Sequence, residues 1–188
     1  MDSSDIARSF QPYLLPGERI RWSGRPKQGL VFGPGDTLLV PFSLMWGGFA
    51  IFWNAMVWFG PFAGQQEPNI FFRLWGLPFL AIGLYLIVGR FFHDAWLRKG
   101  RRYAVTDQRV LFLQGAKFTA LDIGRLPRLE MTEHRDGTGT IDLGIDRGLF
   151  AQANGFDWWL TAAGKADRLF RIPDPRGVYR LLRSPPRG

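Results

Sequence analysis

The sequence contains no cysteine and only two histidines among its 188 residues. Without cysteine, neither a disulfide bond nor a thiolate metal site can form. The two longest apolar stretches contain no acidic residue, so they lack the usual marker of a proton or ion pathway in a membrane. From Thr37 to Gln66, 30 consecutive positions carry no charge of either sign, and such a run leaves no charged face for a surface helix.

Two of the apolar stretches predict membrane-spanning helices. LLVPFSLMWGGFAIFWNAMVWFG covers Leu38 to Gly60, and LWGLPFLAIGLYLIVG covers Leu74 to Gly89. A spanning helix needs about 20 predominantly apolar residues, and phenylalanines at both ends lengthen the second stretch. We therefore expect a two-helix transmembrane hairpin over residues 37–97, joined by a short loop at 61–69.

A buried helical hairpin in a soluble protein is the alternative. The first stretch argues against it, because Ser43 and Asn54 are its only clearly polar side chains and a core helix of a small protein has a polar face. We expect Asn54 to make an interhelical or backbone hydrogen bond. Arg73 and Arg90 flank the second stretch and should extend towards the membrane interfaces.

Basic residues predict the orientation of this hairpin. The first 36 residues carry five lysines and arginines, and the predicted loop carries none. Four more follow the second stretch: Arg98, Lys99, Arg101 and Arg102. Positive charge favours the cytoplasmic side, so both termini should be cytoplasmic. This basic cluster should also contact anionic lipid headgroups. The net charge of +8 is consistent with an anionic partner.

The remainder of the chain predicts a small antiparallel β domain over residues 98–188, whereas residues 1–36 are expected to form a cytoplasmic N-terminal segment. RRYAVT and RVLFLQG are strand-like and flank a turn, KFTALDI follows, and RLPRLEM at 125–131 is a weaker strand. In TIDLGI, Ile141 and Leu143 alternate with polar residues and should face inward. Residues 147–165 are expected to be irregular or to contain one short strand.

The chain should end in a helix. In DPRGVYRLLR, Asp174 is a predicted N-cap and Pro175 occupies the first helical position. With the preceding YAVTDQRVLFLQG, DGTGTIDLG and the upstream LLPGERIRWSGRP, this order of elements resembles the bacterial pleckstrin-homology-like domains of small membrane proteins. The resemblance implies a sandwich or partly open β-barrel capped by the C-terminal helix. The Gly- and Trp-containing stretch 146–166 departs from that pattern.

Turn chemistry and strand position suggest where a partner could bind. Asp107 should accept hydrogen bonds from backbone N–H groups in the turn, and Arg109 should pair with Asp107 or reach lipid phosphate. We predict protein contacts at a sheet edge around Val105, Asp107 and Arg109, and at Tyr179 on the terminal helix.

Catalytic chemistry has no recognisable motif in this sequence. Neither Ser23 nor Ser43 has a base in an evident motif, and the glycines of DGTGTIDLG lead into a strand, unlike a dinucleotide-binding turn. His134 lies among acidic residues, but a solvated turn explains that composition better than a metal site. We expect no enzymatic activity, no cofactor and no metal. Nucleic acid is not expected either, because no recognition module is present.

These features predict a non-enzymatic module that is integral to the cytoplasmic, or inner, membrane. It would present a pleckstrin-homology-like domain to an unidentified membrane or cytoplasmic protein or to anionic lipid headgroups. The alternative is an accessory subunit or assembly factor of a larger membrane complex. Homo-oligomerisation stays open.

Overall fold

The computed structural model describes residues 3–33, 36–60, 70–144 and 168–183. The chain divides into two compact units. The first, the β unit, comprises residues 1–29, 95–157 and 162–188, and the second, the hairpin unit, comprises residues 30–94 and 158–161.

The hairpin unit contains the two apolar helices. Helix α2 spans Asp36–Phe59, while α3 (Ile70–Leu84), a π-helical turn (Tyr85–Gly89) and α4 (Arg90–Lys99) follow one another without a break. Residues from Ala95 onwards in α4 are assigned to the β unit. Residues 36–59 and 73–99 are both long and apolar enough to be candidate membrane spans. In the most apolar 18 residues of each span, only 28% and 17% are buried in the protein. The core helices of a soluble fold, by contrast, are mostly buried. The predicted loop at 61–69 lies outside the described residues.

A seam of small and polar residues joins α2 to α3. On α2 the buried positions include Ser43, Gly47, Ala50 and Asn54, at the three- and four-residue spacing of one helix face. A Cβ built on Gly83 would lie 2.9 Å from the Cα of Gly47, so the two backbones approach closely where neither residue has a side chain. Close approach through small residues is the usual packing of apolar helices in membranes.

The β unit contains two antiparallel sheets, which are open among the described residues. The first has the order β1–β2–β3–β4, with strands at Ile20–Gly24, Arg101–Thr106, Arg109–Gln114 and Lys117–Asp122. The second has the order β5–β6–β7, with strands at Glu130–Glu133, Gly139–Asp142 and Arg168–Ile172.

One hydrophobic core lies between these sheets. Side chains of Tyr103, Val110, Ile141 and Leu143 belong to it, and Val178 on the terminal helix closes the cluster. That helix, α5, spans Pro175–Arg183. Ile141 and Leu143 are fully buried, which confirms the predicted strand phase.

The N-terminal segment belongs to this β unit. Helix α1 (Ser3–Phe10) lies on the outer face of the first sheet, where Ile6 and Phe10 pack against Leu111. Strand β1 pairs with β2 at both ends, with a register shift between Ile20 and Trp22. Residues 1–29 are therefore part of the same compact unit as the later strands, although the sequence pattern suggested a separate segment.

One further prediction needs correction. The weak strand expected at 125–131 is instead a short 3₁₀ turn (Ile123–Arg125) followed by an irregular connection, and β5 begins only at Glu130. Pro127 cannot donate a backbone hydrogen bond, which explains why pairing starts after it. The expectation for 147–165 lies outside the described residues. Strand β7, by contrast, has no counterpart among the predicted strands.

Candidate functional site

A buried carboxylate links the N-terminal segment to the β2–β3 turn. The Glu18 side chain is fully buried, and Arg109 donates to it from Nε at 3.0 Å and from Nη2 at 2.5 Å. The hydroxyl of Thr106 and the backbone N–H of Leu15 also donate to this carboxylate. Burial alone would raise the pKa of Glu18, but these hydrogen bonds outweigh it and hold the pKa below its usual value.

The turn itself is organised by Thr106. Its hydroxyl oxygen accepts hydrogen bonds from the backbone N–H groups of Gln108 (3.1 Å) and Arg109 (2.8 Å). Asp107 accepts instead from the backbone N–H of Arg19, at 3.1 Å. Thr106 is the last residue of β2, as predicted, and it also has the role in the turn that was predicted for Asp107. Arg109 pairs with Glu18, which is 91 positions away and could not be matched to it by local spacing.

The predicted partner contact around Val105 does not lie at a sheet edge. Val105 is fully buried, and β2 pairs with β1 on one side and with β3 on the other. A strand cannot be added there, because both sets of backbone groups already have partners. In the first sheet the outer strands are β1 and β4. Tyr179 is half-buried and packs against the core of the β unit.

Members of the predicted basic cluster occupy different environments. Arg98 is fully buried and donates from Nη1 to the carbonyl of Lys27 at 2.6 Å and from Nη2 to that of Gly29 at 2.7 Å. Arg101 is also buried. Lys99 is exposed and Arg102 is partly exposed, so only these two residues can present charge at the surface.

Arg98 instead anchors the segment that follows β1. The same segment also contacts the second sheet and the turn before it. Lys27 donates from Nζ to Asp136 at 2.7 Å and from its backbone N–H to the carbonyl of Arg171 at 3.0 Å. The guanidinium of Arg171 also contacts Asp136, at 3.1 Å. The ammonium and hydroxyl donors around Asp136 hold the pKa of that carboxyl well below its usual value.

A cleft with cationic walls opens where β2, β4 and β7 begin and β3 ends. Among the described residues, those that line it with polar groups are Arg101, Tyr103, Gln114, Lys117, Thr119 and Arg168. Burial raises the pKa of Tyr103, against the opposing effect of Arg101 and the backbone of Phe170, so the phenol stays protonated at neutral pH. The guanidinium of Arg168 lies 5.3 Å from the ring centre of Phe170, which fixes its position by a cation–π contact.

The acidic residues near His134 have partners within the protein. Arg176 donates to both carboxylate oxygens of Glu133, at 2.5 and 2.9 Å, and His134 Nε2 lies 3.2 Å from the hydroxyl of Thr140. Burial, together with the nearby charge of Arg171, lowers the pKa of His134, so the ring is neutral at pH 7. Among the described residues, no group of three potential ligand side chains could hold a metal ion.

Two polar contacts stabilise the hairpin unit. Asn54 donates from Nδ2 to the carbonyl of Gly76 on the other helix at 3.0 Å, which agrees with the interhelical role predicted for it. Arg90 is buried and pairs with Asp36 at 2.6 Å. This ion pair joins Arg90 to the first residue of α2, at one end of the first candidate span, and the position of Arg90 near a membrane interface is still a prediction. Arg73 lies 5.4 Å from the ring centre of Trp58.

Comparisons with known proteins find no matching family model, no similar curated protein and no similar solved structure. The resemblance to bacterial pleckstrin-homology-like domains is therefore still a prediction, based on the order of elements.

Proposed function

We propose that this chain is a non-enzymatic interaction module anchored in the cytoplasmic membrane. Its two apolar helices would insert as a hairpin, and the β unit would bind a membrane or cytoplasmic protein or anionic headgroups. The observation that carries the proposal is the exposure of large apolar side chains along both helices. Phe49, Phe52, Phe79 and Ile82 are more than one-third exposed, although water would penalise such a surface.

The proposed domain is pleckstrin-homology-like. Support comes from four strands in one antiparallel sheet and three in another, with a C-terminal helix packed against their shared core. A fold of this kind hosts many ligands, so function must be argued from sites. The outer strand β4 (Lys117–Asp122) and the exposed arginines of α5 are the surfaces that a protein partner would contact.

Co-purification tests the module. The full chain and a hairpin chain limited to residues 30–99 would be tagged, extracted in mild detergent and compared by mass spectrometry. The hairpin chain omits residues 1–29, because β1 and α1 belong to the β unit. We expect it to lose the partners of the full chain. Retention of every partner would favour an accessory subunit that is held through the membrane helices.

The proposed topology places both termini in the cytoplasm. Five basic residues precede the first helix, and the predicted loop carries none, so the positive-inside rule supports this orientation. A reporter that is active only in the cytoplasm should be inactive when fused after Gly64 and active when fused after Gly188. Cytoplasmic activity at Gly64 would contradict the orientation.

A further inference from the structure

Strand β4 is an outer strand, and among the described residues it pairs with another strand on its β3 side alone. The two-residue turn between β3 and β4 begins at Gly115, which has a φ of +57°, so the pair that closes this hairpin, at Lys117, is hydrogen-bonded. Hydrogen-bonded and non-hydrogen-bonded pairs alternate along an antiparallel ladder. The backbone N–H and C=O groups of Phe118, Ala120 and Asp122 therefore point away from β3, along the open edge of the sheet.

The other outer strands carry features that oppose the addition of a further strand. The register of β1 shifts between Ile20 and Trp22, and that of β7 shifts where it pairs with β6. Strand β5 has only four residues and has a glutamate at each end. Bulges, charges and short length are the usual protection of sheet edges. Among the described outer strands, β4 alone has six residues, a regular register and no charge between its two ends.

The charges of β4 are complementary to those of a second, antiparallel copy. Lys117 begins the strand and Asp122 ends it, so antiparallel pairing brings opposite charges to the same end, whereas parallel pairing would bring like charges together. Within the chain, Asp122 contacts Arg125 at 3.8 Å, and both side chains are more than half exposed. An exposed ion pair of that length contributes little, so it does not compete with the contact between copies.

The direction of the open backbone groups restricts the register of such a pair. Residues that face each other across an antiparallel pair must point their backbone groups in the same sense, so the two-fold axis passes through a residue and its own copy. An axis at Ala120 would place the ring of Phe118 opposite the carboxylate of Asp122. An axis at Thr119 instead places Thr119 opposite its copy and Phe118 opposite the small Ala120. Threonine pairs in this position are favourable.

We propose that β4 pairs with β4 of a second copy of this chain, antiparallel and with Thr119 at the two-fold axis. The first sheets of the two copies, each with four strands, then join into one continuous sheet. This inference rests on the proposed function for its choice of surface, and it names the protein that binds there. The two-fold symmetry closes the contact, so that a dimer forms and a fibre does not. Two copies in one membrane would also have a high effective concentration for each other.

Cysteine cross-linking tests this arrangement, because the chain has no cysteine of its own. Thr119 would form a non-hydrogen-bonded pair with its copy, in which the Cα atoms are about 4.5 Å apart and a disulfide can form. Under mild oxidation, full-length Thr119→Cys in mild detergent should form a cross-linked dimer. Thr132→Cys is the matched control, because Thr132 is exposed on the outer strand β5, and it should stay mostly monomeric. Equal cross-linking of the two variants, or none of Thr119→Cys, would overturn the pairing.

Charge at the two-fold axis provides a second test that needs no disulfide. Thr119→Glu places two like charges opposite each other and should weaken the dimer about fivefold, as measured by analytical ultracentrifugation in detergent. Thr119→Lys should do the same, and a mixture of the two variants should form mixed dimers with about the original affinity. A monomeric unchanged chain, or variants that dimerise as it does, would overturn the proposal. Because a dimer of identical chains adds no other protein to the co-purification experiment, either proposal can fail while the other stands.

Discussion

At the scale of single residues, one buried ion pair connects segments that are distant in sequence. Glu18 receives hydrogen bonds from Arg109, Thr106 and Leu15, and its side chain is inaccessible to water. Removing one member of such a pair leaves the other charge buried without compensation. The pair therefore joins the segment before β1 to the strand that follows the β2–β3 turn.

We expect Glu18→Gln to lower the free energy of unfolding by about 3 kcal/mol, the lower end for a broken buried pair, since Arg109 is partly exposed. Thermal unfolding of the full chain in detergent, followed by near-UV circular dichroism, measures the change. The control is Glu130→Gln, which removes an exposed carboxylate paired with Arg128 and should cost at most about 1 kcal/mol. Equal melting temperatures for the two variants would contradict this role.

The same pair predicts a pH dependence. Because the pKa of Glu18 is lowered in the folded chain, its contribution to stability is fully present above the unfolded value, which is about 4.3. It is lost as the pH falls through the lowered folded pKa. The unchanged chain should therefore lose melting temperature more steeply below pH 4 than Glu18→Gln does. Parallel pH profiles would show that Glu18 does not titrate as part of the pair.

At the scale of secondary-structure elements, local sequence patterns predict an element correctly where the strands or residues that it contacts are its neighbours in sequence. The β2–β3–β4 meander follows from short apolar runs separated by turn residues, and the terminal helix follows from its cap. The structure confirms that cap, since Asp174 Oδ1 accepts from the backbone N–H of Gly177 at 3.1 Å. Such signals involve a few adjacent residues and depend little on the rest of the fold.

Elements that depend on distant partners could not be predicted in this way. Helix α1 has only eight residues, and a helix of that length is marginal until Ile6 and Phe10 pack on the sheet. Strand β1 likewise needs β2, which follows the whole hairpin. Because α1 covers the outer face of the first sheet, β3 is buried on both faces, and its sequence does not alternate between apolar and polar residues. The same long-range packing concealed the Glu18–Arg109 pair and the burial of Arg98.

Helix packing in the hairpin can be tested with two glycines of α2 and α3. A Cβ on Gly83 would lie 2.9 Å from the Cα of Gly47, closer than real Cβ contacts, whereas a Cβ on Gly48 meets no atom within 4 Å. Alanine favours helix by about 1 kcal/mol over glycine, so Gly48→Ala should be neutral or stabilising. Gly83→Ala should lower the melting temperature in detergent, because the helices must separate. Similar melting temperatures would mean that the seam is not a close contact.

At the scale of the whole molecule, the β unit has its own core although the chain leaves it and returns. Strands β1 and β2 are adjacent, and Arg98 donates to the carbonyl of Gly29, so the chain leaves the β unit and returns to it at neighbouring positions of that unit. A region with its own hydrophobic core can fold without the remainder of the chain. The hairpin unit should therefore be dispensable for folding, and its contribution would be to location.

We therefore expect a shortened chain, in which a flexible Gly/Ser linker joins Gly29 directly to Ala95, to be soluble without detergent and to unfold cooperatively. Adding Phe10→Ala to it should lower its melting temperature, because this buried ring secures α1 on the sheet and its loss costs about 3–5 kcal/mol. Aggregation of the shortened chain would show that the β unit needs the helices.

If the shortened chain folds, its binding to partners shows what the membrane anchor contributes. Two proteins held in the same membrane have a high effective concentration for each other, so a weak contact between them can be sufficient. The shortened chain lacks the membrane anchor and should therefore bind the same partner with lower apparent affinity.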